Sequence, residues 1–368
     1  MNIAITGADG FLGKNLIYQL YKREKININK ITRNTKIEDL DKIILNSKFI
    51  YHFAGANRPK SNNGFITDNI NLTKYICDLL IKNKSKNKII FTSSTQAENK
   101  TKYGHSKKKC EKIIINYAKK NKAGIYIYRL PNIFGKWSKP NYNSVVSTFC
   151  HNISRNKKII ISNPKKKIDL IYVDDVIESF MKIITSKSTP QQNFYKINKI
   201  TNISLMDLSN TIKEFHLDRK EGLINDISLN FRKKLYSTYV SFLPKKAITY
   251  KLISKIDKRG SFTEFLKTKH SGQISVFTAK KNITRGQHFH HTKVEKFFVV
   301  KGKAKFYMRN LLTNKIINHI LNSETPKVIE SLPGYTHYIK NIGKEDLIVL
   351  LWSNEVFNVN KPDTFHHE

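Results

Sequence analysis

The chain opens Met1-Asn-Ile-Ala-Ile-Thr-Gly7-Ala-Asp-Gly10-Phe11-Leu12-Gly13. Ile3, Ala4 and Ile5 form a short apolar run without proline or charge, the composition of a strand buried on both faces. Glycines stand at 7, 10 and 13, and a helical pattern through Phe11, Leu12, Leu16 and Leu20 takes over. A strand, a glycine turn and a helix start aim free backbone N–H groups and a positive helix end at a pyrophosphate. Gly7 permits the tight turn, Gly10 a close approach of the phosphates, and Gly13 close packing of helix on strand. The spacing is G-x-x-G-x-x-G rather than G-x-G-x-x-G, and glycines also punctuate ordinary turns. The strand before and the helix after make it a nucleotide loop.

At 368 residues, with 39% hydrophobic side chains, the chain predicts two domains with buried cores. No stretch approaches the roughly 20 apolar residues of a membrane helix. The N-terminus lacks the basic start of a secretory leader. Cys77, Cys110 and Cys150 are odd in number and far apart, so they predict free thiols in a reducing, cytoplasmic setting. Lys and Arg number 66 against 28 Asp and Glu, a formal charge of +38. The lysines are spread through the whole chain with no nucleic-acid motif, so no nucleic-acid partner is expected. The charge would attract phosphate-bearing substrates.

After the first helix, residues 26–32 predict a second strand, with Arg33 at its end and no acid there. An acid at that position binds a ribose 2′-hydroxyl, whereas an arginine favours a 2′-phosphate, so NADPH is expected over NADH. Residues 49–53 predict another buried strand, and the small Ala54 and Gly55 beyond it let a cofactor lie against the backbone. A strand over 88–91 leads to Ser94, and a long helical pattern begins at Tyr103, with Lys107 four residues on. Tyr103 and Lys107 therefore share one helix face. A nearby ammonium lowers a phenol's pKa from about 10 towards neutrality, and a serine hydroxyl at a strand end holds a substrate oxygen.

Glycine loop, Ser94 and Tyr103-x-x-x-Lys107 together resemble the extended short-chain dehydrogenases/reductases that act on nucleotide sugars, of the NAD-dependent epimerase/dehydratase family. The resemblance implies an α/β Rossmann-type, doubly wound parallel sheet. It implies Ser94, Tyr103 and Lys107 as the catalytic triad, Tyr103 passing its proton to a carbonyl oxygen as hydride arrives. It implies Gly7, Gly10, Phe11, Leu12, Gly13, Arg33, Ala54 and Gly55 at the cofactor. Arg129 and Asn132, at and after the strand over 124–129, would touch the substrate. Tyr172-Val-Asp-Asp-Val176 is similar to a later segment of the same family.

Near Pro244 helical spacing gives way to short β-rich runs at 273–277, 296–301, 303–308 and 347–352. These predict an all-β sandwich or barrel over 245–368, after a first domain over 1–244. Inside it stand His288, His290, His291 and Glu295, and downstream Pro333-Gly334-x-x-His337-x-x-x-Asn341. Two histidines two apart on a strand face one side. With Glu295 and His337 they form a donor set suited to Zn, Fe, Mn or Ni. The pattern resembles the cupins, a jelly-roll barrel family, with shortened spacing before the first histidine and adjacent Pro and Gly. The match implies His288, His290, Glu295 and His337 as ligands to one divalent metal, zinc first.

The pairing of such a reductase with a cupin resembles the bifunctional bacterial capsular polysaccharide enzymes of UDP-N-acetyl-L-fucosamine precursor synthesis. Residues 135–144, Leu235 to Tyr239, Arg259 to Glu264 and Pro362-Asp363-Thr364 belong to this resemblance. It implies C3 epimerisation of a UDP-2-acetamido-2,6-dideoxy-4-hexulose by the cupin, then reduction of the C4 ketone with NADPH. The product would be a UDP-N-acetyl-L-talosamine-type sugar. A UDP-linked keto-deoxy amino sugar is thus the expected partner, and a homodimer the expected state. The residue taking the C3 proton is open among His291, Lys293, Glu264 and Tyr335. A 4-epimerase or 4-reductase with a structural metal, and a non-catalytic NADP-sensing or polyanion-binding protein, are the alternatives.

Overall fold

The computed structural model describes residues 1–21, 25–57, 59, 61, 64–186, 193–224 and 226–367. The chain divides into two compact units, Met1–Ile212 with Lys233–Pro244, and Lys213–Arg232 with Lys245–Glu368. Residues 213–232 thus group with the C-terminal unit.

The first unit runs β1 (Asn2–Thr6), α1 (Phe11–Leu20), β2 (Asn27–Ile31), α2 (Ile37–Leu45) and β3 (Phe49–His52). A π-helical turn (Ile66–Asn71) continues into α3 (Leu72–Lys82), followed by β4 (Lys88–Ser94), α4 (Lys102–Asn121) and β5 (Ile125–Leu130). Then come β6 (Asn132–Phe134), α5 (Val145–Ile153), β7 (Lys167–Tyr172), α6 (Val173–Thr185), β8 (Phe194–Tyr195), β9 (Ile200–Ser204) and α7 (Leu205–Lys220). The main sheet has the order β2-β1-β3-β4-β5-β8, and its pairings are parallel. Alternate residues of β1 feed opposite cores. Ile3 and Ile5 join α1 and α6 on one face, while Ala4 joins Leu40, Ile76, Leu80 and Ile114 on the other. Burial on both faces is why β1 reads as an unbroken apolar run. The strand order reverses between β1 and β3, and such a switch point opens a crevice at the carboxyl ends of the strands. The glycine loop follows β1, and Ala54-Gly55 follows β3, so both stand at that crevice. The three cysteines are free and buried. Among the described residues no helix is long and apolar enough to cross a membrane.

In the second unit β10 (Leu223–Ile224) comes first; after it α8 (Asn230–Ser241) runs out of this unit into the first. The strands β11 (Ser254–Asp257), β12 (Gly260–Thr268), β13 (Gln273–Ala279), β14 (Thr284–Phe289), β15 (Glu295–Lys301) and β16 (Lys303–Asn310) follow. The last are β17 (Ile316–Asn322), β18 (Val328–Glu330), β19 (Tyr335–Asn341), β20 (Leu347–Ser353) and β21 (Phe365–His366). One sheet has the order β10-β12-β13-β20-β15-β18 with β11 on β12, and the other β17-β16-β19-β14-β21. Burial alternates strictly along β13 and β20, the period of strands with one face inward. Phe277, Phe297, Val299, Phe306, Ile339 and Val349 form the shared core. Leu223 of β10 pairs with Lys267 of β12 in the second unit.

Candidate active sites

At the switch point, backbone approaches backbone. Gly7 has φ +66°, and a Cβ there would lie 2.9 Å from the Ala54 nitrogen. A Cβ on Gly13 would lie 2.4 Å from the Gly7 carbonyl oxygen. Gly10 precedes α1, whose first turn is Phe11, Leu12 and Gly13, with no side chain capping it. The N–H groups of a helix's first turn have no partners within the helix and carry its positive end. This cradle of bare backbone fits the diphosphate of a nicotinamide dinucleotide. Arg33 lies just past β2 with its side chain 92% exposed, 3.7 Å from the Asp68 carboxylate.

Behind the cradle runs a buried chain of hydrogen bonds that the sequence did not announce. Ala54 N–H donates to Thr6 Oγ1, at 3.1 Å. His52 bridges Thr6 and Thr73, each at 2.8 Å. Asn69, in the π-helical turn, accepts from Ala56 N–H at 2.7 Å and donates to Ser106 Oγ at 3.0 Å. Ser106 in turn donates to the Tyr103 carbonyl oxygen at 2.8 Å. Asn69 therefore ties the small-residue loop after β3 to the helix that carries Tyr103. A buried asparagine inside a helical pattern was the available signal.

Ser94 ends β4, and Tyr103 and Lys107 stand in the first turns of α4, whose N-cap Thr101 accepts from Gly104 N–H at 3.0 Å. Lys107 is buried and donates to the Thr92 carbonyl oxygen at 2.9 Å. Burial lowers its pKa. The Tyr103 phenol does not follow the expectation of a lowered pKa. Burial pushes it up to about 12, and a hydrogen bond with Ser94 only partly opposes this. Desolvation of the phenolate prevails. Arg129 is placed apart from this group. Its guanidinium binds Glu111 at 2.7 and 2.9 Å and Glu98 at 2.6 Å, and buried Glu111 also accepts from Ser93 at 2.6 Å. That network rivets α4 to β4 and β5 and holds the Arg129 guanidinium on its two carboxylates. Asn132, exposed on β6, donates to the Asp169 carbonyl oxygen at 3.3 Å.

In the second unit His288 (β14), His290 just beyond it, Glu295 (β15) and His337 (β19) converge, with donor atoms within 4.8 Å of one another. His288 and His337 are cross-strand partners, and Glu295 reaches across from the facing sheet. Glu295 Oε2 lies 3.2 Å from His337 Nε2, 3.4 Å from His290 Nε2 and 3.9 Å from His288 Nε2. Four ligands about 2.1 Å from a tetrahedral ion would stand about 3.4 Å apart. Nε2 of His288 and His290 and Nδ1 of His337 are buried with no hydrogen-bond partner. The orphaned Nε2 atoms of His288 and His290, with His337 Nε2 beside the same carboxylate, fit a divalent metal. Burial alone would raise the Glu295 carboxyl. The three imidazoles and the Lys293 ammonium outweigh it and hold the group well below the usual carboxylate range.

His288, Glu295 and His337 line a cavity of about 350 Å³ together with Arg259, Arg285, Glu264, Lys293 and His366. Lys293 Nζ lies 3.0 Å from Glu295 Oε1, and Glu264 pairs with Lys267 at 2.7 Å. Of the four residues left open for the C3 proton, Glu264 and Lys293 line this cavity. His291 packs on Phe365 with ring centroids 4.9 Å apart, and Tyr335 packs against the hydrophobic core.

Comparison with known proteins agrees with this geometry. Residues 3–198 match the NAD dependent epimerase/dehydratase family, and residues 255–365 match the polysaccharide biosynthesis C-terminal domain. The chain is 41% identical over 365 residues to the UDP-2-acetamido-2,6-beta-L-arabino-hexul-4-ose reductase of Pseudomonas aeruginosa, covering 99% of this chain and 98% of that one. It is 38% identical to the crystal structure of the capsular polysaccharide assembling protein CapF from Staphylococcus aureus, with a TM-score of 0.92 and full coverage of both chains. A UDP-glucuronic acid 4-epimerase from Bacillus cereus in complex with NAD shares the fold over 66% of this chain and 98% of its own, at TM-score 0.55 and 18% identity. With its switch-point cradle, its Ser-Tyr-Lys group and a match over both units, this chain belongs to the NAD dependent epimerase/dehydratase family and carries a polysaccharide biosynthesis C-terminal domain.

Proposed function

We propose that the protein is a bifunctional nucleotide-sugar enzyme. The cupin unit epimerises C3 of a UDP-2-acetamido-2,6-dideoxy-4-hexulose, and the Rossmann unit reduces the C4 ketone with NADPH. The observation that carries this reading is the presence in one chain of a Ser94–Tyr103–Lys107 group beside a dinucleotide cradle and a histidine–carboxylate cavity. The relative named for reduction of a UDP-linked hexulose supports the substrate class. Capsular polysaccharide assembly in the structural neighbour supports the setting.

NADPH, when bound, supplies the hydride to C4. Tyr103 supplies the proton: its phenol, with an ordinary pKa of about 10 that burial raises further, is protonated at neutral pH. Ser94 orients that phenol and the ketone oxygen. Lys107, fixed on Thr92, holds positive charge at the base of the site. Arg33 beyond β2 favours the 2′-phosphate of NADPH.

In the cupin cavity His288, His290, Glu295 and His337 would hold one divalent metal, zinc first, which supplies positive charge beside an enolate oxygen. The C3 proton is acidic because it neighbours the C4 ketone. Glu264 and Lys293 are the cavity-lining candidates to move it, and Arg259 and Arg285 offer guanidiniums to the diphosphate. Sequential action on one keto-sugar follows from the shared C4 ketone.

The test supplies the keto-sugar and NADPH to wild type, Tyr103→Phe and His337→Ala. Wild type should oxidise NADPH to a UDP-linked amino sugar. Tyr103→Phe should lose about 10²–10⁴ in rate. His337→Ala should retain NADPH binding and yield product unchanged at C3 or none. Wild-type protein that oxidises no NADPH with this substrate would sink the reading.

A further inference from the structure

The segment Pro362-Asp363-Thr364 has no part in the functions above, yet it is built into the histidine–carboxylate cluster. Between the ligands His290 and Glu295 the chain passes through residues 291–294, which form neither strand nor helix. The Asp363 carboxylate organises that loop. It accepts from the backbone N–H of His291 at 2.9 Å and of Thr292 and Lys293 at 2.8 Å each. The Thr292 hydroxyl adds a fourth bond at 3.1 Å. The backbone carbonyl of the same residue accepts from Nδ1 of His290. Beyond it, β21 pairs His366 with His288 and Phe365 with Phe289, and the two phenylalanine rings stack 5.3 Å apart.

These bonds have a directional consequence. A histidine that donates from Nδ1 is held as the tautomer whose Nε2 lone pair is bare. Nε2 of His290 is the buried, partnerless atom that lies 3.4 Å from Glu295 Oε2. Asp363 thus fixes the orientation of one ligand through its carbonyl and the start of β15, where Glu295 stands, through its carboxylate.

We propose that Asp363 is a positioning residue of the metal centre, presenting His290 and Glu295 to a divalent cation without being a ligand itself. The inference rests on reading His288, His290, Glu295 and His337 as a metal site. Outer-shell partners of this kind are worth about 10- to 100-fold in metal affinity.

The test uses full-length Asp363→Asn, which keeps the backbone carbonyl and one side-chain acceptor, and Asp363→Ala. Each is stripped of metal and titrated with Zn²⁺ against a chromophoric chelator, then with Co²⁺ to record the visible spectrum. Zn²⁺ should bind about 10- to 100-fold more weakly in Asp363→Ala and less weakly affected in Asp363→Asn. The Co²⁺ spectrum should change and NADPH affinity stay at the wild-type value, while the melting temperature falls further with Zn²⁺ present than without it. Wild-type Zn²⁺ affinity and Co²⁺ spectrum in Asp363→Ala would overturn the proposal. So would an equal loss of melting temperature with and without metal, which would make the residue a brace only. Wild-type protein that takes up neither ion would overturn it through the metal reading. Keto-sugar turnover by wild type is scored separately, so loss of this inference and loss of the proposed function are distinguishable.

Discussion

His52 makes the N-terminal unit sensitive to acid in a way that can be worked from its surroundings. Its ring is enclosed at the end of β3, bonded to the Thr6 and Thr73 hydroxyls at 2.8 Å each. Burial, and secondarily the Lys107 charge, lowers its pKa from 6.5 to about 3. In the unfolded chain the same group titrates near 6.5. Between these values the unfolded state binds a proton that the native state refuses, so stability rises with pH across the window. The contribution is fully present above about pH 6.5 and is lost progressively as pH falls towards about 3. At about pH 4.5 the unfolded state gains about two pH units of protonation, or about 3 kcal/mol, from this residue alone. The perturbation is His52→Gln, which removes the titrating group, with Trp352→Phe in both proteins so that Trp137 reports the N-terminal unit. Urea unfolding at about pH 7.5 and about pH 4.5 gives four free energies. Wild type should lose about 3 kcal/mol more than the variant between the two conditions. Equal losses would refute the reasoning, because His52 would then titrate alike in both states.

Arg33→Asp should cut the preference for NADPH over NADH by about 10- to 100-fold, the worth of a charged hydrogen bond, read from the two Kd values; an unchanged ratio would remove Arg33 from the cofactor site. Glu111→Leu should destabilise the N-terminal unit by about 2–3 kcal/mol in urea unfolding, less than a fully buried pair because Arg129 keeps Glu98 and is 28% exposed. In cofactor-free protein, the ultraviolet difference between wild type and Tyr103→Phe should show no phenolate until close to pH 12; a step near about pH 8 would contradict burial as the dominant influence.

What was legible in the sequence was local. The strand–glycine–helix of residues 1–20 is visible because a strand buried on both faces is a continuous apolar run and its turn needs glycine. Tyr103 and Lys107 share a helix face by their spacing of four, and the alternating strands of the C-terminal unit follow from their period of two. The four-residue metal cluster was legible because histidine and glutamate rarely repeat so closely. What was hidden depends on contacts distant in sequence. Glu111 pairs with Arg129 from 18 residues before it, a contact that no local pattern announces. Asp363 reaches a loop more than 70 residues before it. The Tyr103 pKa is set by how completely α4 and its neighbours enclose the phenol, which no local pattern encodes. The short strand β10 pairs across to β12, and its two residues carry no periodicity to announce it.

Two sites on one chain imply two separable steps on one keto-sugar, and isotope exchange separates them most directly. The substrate is incubated with the protein in deuterated water without NADPH, then with it, for wild type and Tyr103→Phe. The account predicts deuterium at C3 before any cofactor is added, in both proteins, and NADPH oxidation only in wild type. NADPH oxidised by wild type with no deuterium entering at C3 would contradict it.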